Sequence, residues 1–128
     1  MDASAAVELI LRPEPHADVL AGLVGETVRV PAHFDAEVLS GVMRERRRGR
    51  IDASRAELAL LEVVRLAAER VPLSGMLAEA YALRDRFTAY DALYVVVARR
   101  SSAPLLTADA PLARAAAGYV EVRTIPTA

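Results

Sequence analysis

Residues 91 to 98 read DALYVVVA, a run that is apolar on every side once its opening acid is passed. A segment without a polar face belongs in the middle of a fold, covered all round. As a helix it would be the axis of the domain. The three valines at 95 to 97 lower helix propensity, and a strand at the centre of a sheet is the competing reading. In either form the run fixes an interior, and Asp91 at its edge has to be paired, capping or coordinating to avoid a desolvation cost.

The rest of the chain is sufficient to surround that axis. A length of 128 residues with 54% apolar content suits one domain, taken as residues 1–128. No stretch approaches the roughly 20 apolar residues of a membrane span. The N-terminus has no basic region followed by an apolar run, so a cytoplasmic protein with no membrane partner is expected.

Periodicity places the remaining elements. Ala5 to Leu11 reads as a short helix ended by Pro13, Pro15 to Val24 as a second, and Thr27 to Val30 as a strand. Residues 32 to 48 repeat Phe34, Val38 and Val42 at helical spacing and finish in a basic turn. Residues 53 to 70 predict the longest helix, with Leu58, Leu61 and Ala68 on one face. An extended stretch is expected at 71 to 73, a helix at 75 to 87, a strand at 104 to 106, a helix at 109 to 116 and a strand at 120 to 125. Alternating strands and helices imply an α/β fold with a parallel sheet covered by helices.

Composition then removes whole chemistries. Cysteine is absent, which excludes disulfides, thiolate zinc sites and thiol catalysis. All sixteen basic residues are arginine, which disfavours P-loops, Schiff-base enzymes and phosphotransfer sites that need a lysine. His16 and His33 are the two imidazoles; neither lies near a serine-nucleophile motif or at metal-pair spacing. A net charge of −1 does not advertise nucleic-acid binding by the surface as a whole.

Carboxylates at element junctions remain. Asp2, with Ser4 beyond it, precedes the first helix; Asp109 follows the strand PLLT; Asp91 opens the buried run; Glu37 lies early in the helix after Pro31. Parallel α/β sheets place their sites at strand carboxyl ends. Converging carboxylates suit hard divalent cations, which would relieve their mutual repulsion and act on a phosphodiester without cysteine, lysine or histidine. Each acid also has an ordinary reading as an N-cap or first-turn residue. Asp35 competes with Glu37, since two residues on a helix point about 200° apart and spacing alone does not choose between them.

Read in order, MDASAAVE, PAHFDAEV, YDALYVVVA and PLLTAD resemble the successive motifs of the PIN domain family, and in particular its VapC-like toxin branch, from Asp2 to about Asp109. The resemblance implies a three-layer α/β domain, a central parallel sheet flanked by helices, with an acidic pocket at the sheet's carboxyl edge. It implies endoribonuclease cleavage supported there by Mg²⁺ or Mn²⁺. The family's four acids fall on Asp2, Glu37, Asp91 and Asp109, and its accompanying hydroxyls on Ser4 and Thr107, which selects Glu37 over Asp35. It further implies an RNA substrate, a homodimer, and a VapB-type antitoxin whose tail covers an apolar groove built by the first helices and the 32 to 48 helix. Members carry three to five apolar residues before the first acid, forming the central strand. Here Met1 alone precedes Asp2, so a truncated first strand is expected.

The arginines at 44, 46, 47, 48 and 50 have three readings: a solvated helix end, RNA phosphate contacts centred on Arg46, Arg47 and Arg48, or an antitoxin contact. Two alternatives to the nuclease reading stay open. One is a catalytically silent PIN-like module that binds RNA or an antitoxin; the other is a phosphatase or DNA nuclease using the same carboxylates.

Overall fold

The computed structural model describes residues 1–127. Helices α1 (Ala3–Leu11) and α2 (Ala17–Leu23) lead into strand β1 (Val28–Pro31). There follow α3 (Phe34–Arg47), α4 (Ala53–Arg65), β2 (Ala68–Val71), α5 (Leu77–Ala82), α6 (Ala89–Ser101), β3 (Leu105–Thr107), α7 (Ala110–Ala116) and β4 (Val122–Thr124). The fold is α/β, with parallel strands interleaved with helices, as expected.

The apolar run is helical. Thr88 caps α6 by accepting the Asp91 N–H at 3.3 Å, and Ser102 ends it in the left-handed region at φ 48°. Val95, Val96 and Val97 are buried, packed with Val30, Phe34, Val38, Met76 and Leu105. Burial on this scale, about 2 kcal/mol per side chain, outweighs a helix-propensity penalty of less than 1 kcal/mol per valine.

Several boundaries differ from the sequence reading. The helix expected over 53 to 70 stops at Arg65, because Leu66 turns to φ −61°, ψ 121° and Ala68 to Val71 pair with β1 instead. The extended stretch therefore lies at 68–71 rather than 71–73. Between 75 and 87 only Leu77–Ala82 is α-helical, preceded by a 3₁₀ turn at Ser74–Met76. Residues after Ala82 form turns that bury Leu83 and Phe87.

The strands form two separate parallel ladders. β1 pairs with β2, Val28 opposite Ala68 through Pro31 opposite Val71; β3 pairs with β4, Leu105 opposite Val122 through Thr107 opposite Thr124. Among the described residues no strand precedes α1. The chain there makes one sheet-like bond, from the Asp2 N–H to the Leu106 carbonyl at 2.9 Å. A cleft of about 590 Å³ lies between the ladders, walled by Val28, Pro31, Leu106, Tyr94 and Val97.

Helices α1 and α3 cross closely at Gly41, where a Cβ would fall 2.8 Å from the Val7 side chain. This contact brings the start of α1 and the first turns of α3 around one pocket.

Candidate active site

Four segments meet at a second cavity, also about 590 Å³, lined by Asp2, Ser4, Glu37, Asp91 and Asp109 among others. Glu37 and Asp109 follow the carboxyl ends of β1 and β3, Asp91 sits in the first turn of α6, and Asp2 caps α1. Asp35, the competitor, is held elsewhere: Arg70 grips its two oxygens at 2.9 Å each.

Asp2 is the most constrained of the acids. One oxygen accepts the Ser4 hydroxyl at 2.7 Å and the Ala5 N–H at 3.0 Å; the other accepts the Thr107 hydroxyl at 2.7 Å. Burial pushes its carboxyl above the usual range, opposed by the hydrogen bonds from Thr107, Ala5 and Ser4. Ser4 and Thr107 also stitch two loops together. The Thr107 hydroxyl accepts the Asp109 N–H at 3.0 Å, and the Ser4 hydroxyl accepts the Ala108 N–H at 2.9 Å. Asp109 caps α7 by accepting the Leu112 N–H at 3.0 Å. Capping and membership of the pocket thus coexist in both Asp2 and Asp109.

Asp91 is different. Burial, then Asp109, Asp2 and Glu37, raise its pKa, opposed only by the Thr88 hydroxyl at the start of the helix. Although the chain has sixteen arginines, none of Asp2, Asp91 and Asp109 forms a salt bridge with a described residue. Beyond the Met1 ammonium, which draws on Asp2, these like charges have no ion-pair partner to lower their free energy, and a cation is the natural relief.

The donor set fits a hard divalent ion. All four groups offer oxygen, and Glu37 Oε1 is buried without a hydrogen-bond partner. The carboxylates are not drawn into a ligand cluster, since no three His, Cys, Asp or Glu among the described residues are spaced to hold a metal ion. Their side chains would have to close in around it.

The pocket includes residues that sequence reasoning did not place there. His33 lies 3.2 Å from Glu37 Oε1 and packs between the Tyr90 and Tyr94 rings, at 5.2 and 4.9 Å. Burial lowers its pKa against the pull of Glu37. The Tyr94 hydroxyl is buried beside Glu37, and burial followed by that carboxylate pushes its ionisation far above the usual range. Of the arginines, Arg44 and Arg48 line the pocket, whereas Arg46 and Arg47 do not. The signal was helical spacing: 33, 37, 41, 44 and 48 share one face of α3 and its lead-in turn.

An α/β fold with parallel strands that gathers four carboxylates into one pocket, three of them without a salt bridge among the described residues, is of the class suited to phosphodiester chemistry. Residues 1–118 match the PIN domain profile. Ribonuclease VapC3 of Mycobacterium tuberculosis is 41% identical over 116 residues, 90% of this chain and 85% of the relative. Ribonuclease VapC12 of the same species is 36% identical over 125 residues, and ribonuclease VapC9 32% over 126; each alignment covers 98% of this chain and 97% of the relative. The chain belongs to the PIN domain family and, within it, to the VapC ribonucleases.

Proposed function

We propose that the acidic pocket is the active centre of a Mg²⁺- or Mn²⁺-dependent endoribonuclease, the toxin of a VapBC-type pair, with the whole chain acting as one nuclease domain in the cytoplasm. The observation that carries this reading is the gathering of Asp2, Glu37, Asp91 and Asp109, three of them without a salt bridge, in an arginine-rich chain. Asp91 supports it most directly, because burial and three like-charged neighbours raise its pKa and it has no salt bridge among the described residues, Thr88 alone opposing them.

In this reading Asp2, Glu37, Asp91 and Asp109 hold the cation. Once bound, a divalent ion supplies Lewis acidity toward the phosphodiester and activates water for its hydrolysis. The chain's own part is positioning. Ser4 and Thr107 orient Asp2 and fix the loop carrying Asp109, Tyr94 and His33 pack against Glu37, and the half-buried setting of Asp91 limits competing solvent.

The partners follow from the same reading. RNA is the substrate, as the relatives' names state for them. A VapB-type antitoxin and a second copy of the chain need apolar surface, which Leu39 and Met43 on α3 and Leu58, Leu61 and Val64 on α4 expose.

The test is cleavage of a mixed pool of structured and single-stranded RNA, with matched DNA beside it, in Mg²⁺ or Mn²⁺. RNA cleavage that disappears in EDTA and falls about 10³-fold in Asp91→Asn is the expected result. Cleavage indifferent to EDTA overturns the metal assignment. A folded chain that binds RNA without cutting it moves the reading to a silent binding module.

A further inference from the structure

The acidic pocket extends well beyond its carboxylates, and its far end has the opposite charge. Glu37, Ser40, Gly41, Arg44, Glu45 and Arg48 all line it, so the pocket runs as a groove along α3. From Glu37 to Arg48 the helix rises about 16 Å at 1.5 Å per residue. Arg44 and Arg48 form no salt bridge with a described residue, whereas Glu45 is occupied by Arg12 and Arg50. Two free guanidinium groups therefore stand one helical turn apart at one end of a groove whose other end gathers carboxylates.

The acid end also carries an exposed aromatic ring. Tyr90, next to Asp91, is 60% exposed although it lines the pocket. Its ring stands 5.2 Å from that of His33 at 32°, and His33 stands 4.9 Å from Tyr94, which is buried. The three rings descend from solvent into the core, so Tyr90 is braced from behind while much of its surface remains open. A braced, uncovered ring beside a phosphate-handling site matches an unpaired base, since stacking on an aromatic side chain requires a base that is not already in a duplex.

We infer that Tyr90 is a stacking shelf for the nucleobase beside the scissile phosphate, and that Arg44 and Arg48 hold the backbone phosphates that follow along α3, so that the groove takes a single-stranded RNA segment. This rests on the ribonuclease reading above and adds two contact sets to it. The base lies against Tyr90 over the His33 ring. The strand then follows α3 from its acidic first turns to its basic last turn.

The experiment uses the full chain carrying Asp91→Asn to measure binding without turnover, and the unmodified chain for cleavage. The probe is a short fluorescein-labelled single-stranded RNA, compared with the same strand annealed to its complement and with a strand abasic beside the cleaved bond. Tyr90→Ala should weaken single-strand binding about 5- to 150-fold, the range of one lost base–aromatic stack, with Tyr90→Phe and Tyr90→Trp restoring it. In cleavage, Tyr90→Ala should raise KM more than it lowers kcat. The abasic strand should bind the parent and Tyr90→Ala equally, and the duplex should bind both weakly. Arg44→Gln with Arg48→Gln should weaken every strand alike and flatten the salt dependence. If RNA is cut and Tyr90→Ala binds and cuts like the parent, the shelf is overturned while the nuclease reading stands. Equal binding of duplex and single strand also overturns the shelf. If the parent neither binds nor cuts RNA, both readings fall together.

Discussion

Two cavities of about 590 Å³ each meet at Tyr94, which lines both. One gathers carboxylates from four segments; the other is the cleft between β1 and β3, walled largely by apolar side chains. The acidic pocket is crowded by charge and stitched by hydrogen bonds through Ser4 and Thr107, whereas the cleft is a gap between ladders that do not pair with each other. Equal space therefore carries opposite energetics. In the pocket, removing a group relieves repulsion or unties a network; in the cleft, it enlarges a space that is already open.

The sharpest contrast uses one change made twice. Glu37→Gln and Asp35→Asn each remove one charge from the first turn of α3, yet Glu37 lines the pocket and Asp35 is held by Arg70 outside it. RNA cleavage should fall roughly 10²-fold or more in the first and stay within twofold in the second, with a stability cost below about 1 kcal/mol for the exposed pair. Equal losses would break the assignment of the pocket.

Next in size is Thr107→Val, which keeps the shape but leaves an Asp2 oxygen and the Asp109 N–H without their partner. Chemical denaturation should show a loss of about 1–3 kcal/mol, and cleavage should drop about 10- to 100-fold. A neutral result would mean that the hydroxyl positions neither acid.

The cleft is tested by neighbours on α6. Val96 is buried outside both cavities, and Val97 lines the cleft. Val96→Ala should cost about 2–3 kcal/mol and Val97→Ala only about 1 kcal/mol, because a cavity is created in the first case and merely widened in the second. Similar costs would show that the cleft is closed in solution.

The smallest expected effect has the opposite sign. The folded state raises the pKa of Asp91, so it binds that proton more tightly than the unfolded chain does. Stability from this group is complete below about pH 3.9 and is lost as pH rises through the raised folded value. Asp91→Asn removes the loss. In metal-free buffer near pH 7 it should raise Tm by a few degrees, on the scale of ~1 kcal/mol after allowing for solvent screening, with no gain near pH 3. A variant less stable than its parent at neutral pH would mean that Asp91 is satisfied, not repelled.

Much of this arrangement was legible before any coordinates. The 91 to 98 run could only be interior, and Phe34, Val38 and Val42 announced α3 by their spacing. The helix-or-strand choice for 91 to 98 was not legible, because propensity and burial pull valine in opposite directions. The end of α4 at Arg65 was hidden for a related reason: Ala68 continues the helical period, and only pairing with Val28 makes it a strand residue. At the site, the junction acids were visible as residue types in suggestive places. Their company was legible only in part: His33 and Arg44 share the helical face of Glu37, whereas Tyr90 and Tyr94 reach the pocket through packing that separate motifs do not encode.

The separation of the ladders has one more consequence. Asp109 follows β3 on one side of the cleft, and Glu37 follows β1 on the other. An ion held by both carboxylates would tie the segments that follow β1 and β3 to one another across the cleft. Loading the site would then also be a mechanical event, registered as slower amide hydrogen exchange along both strands when Mg²⁺ is added.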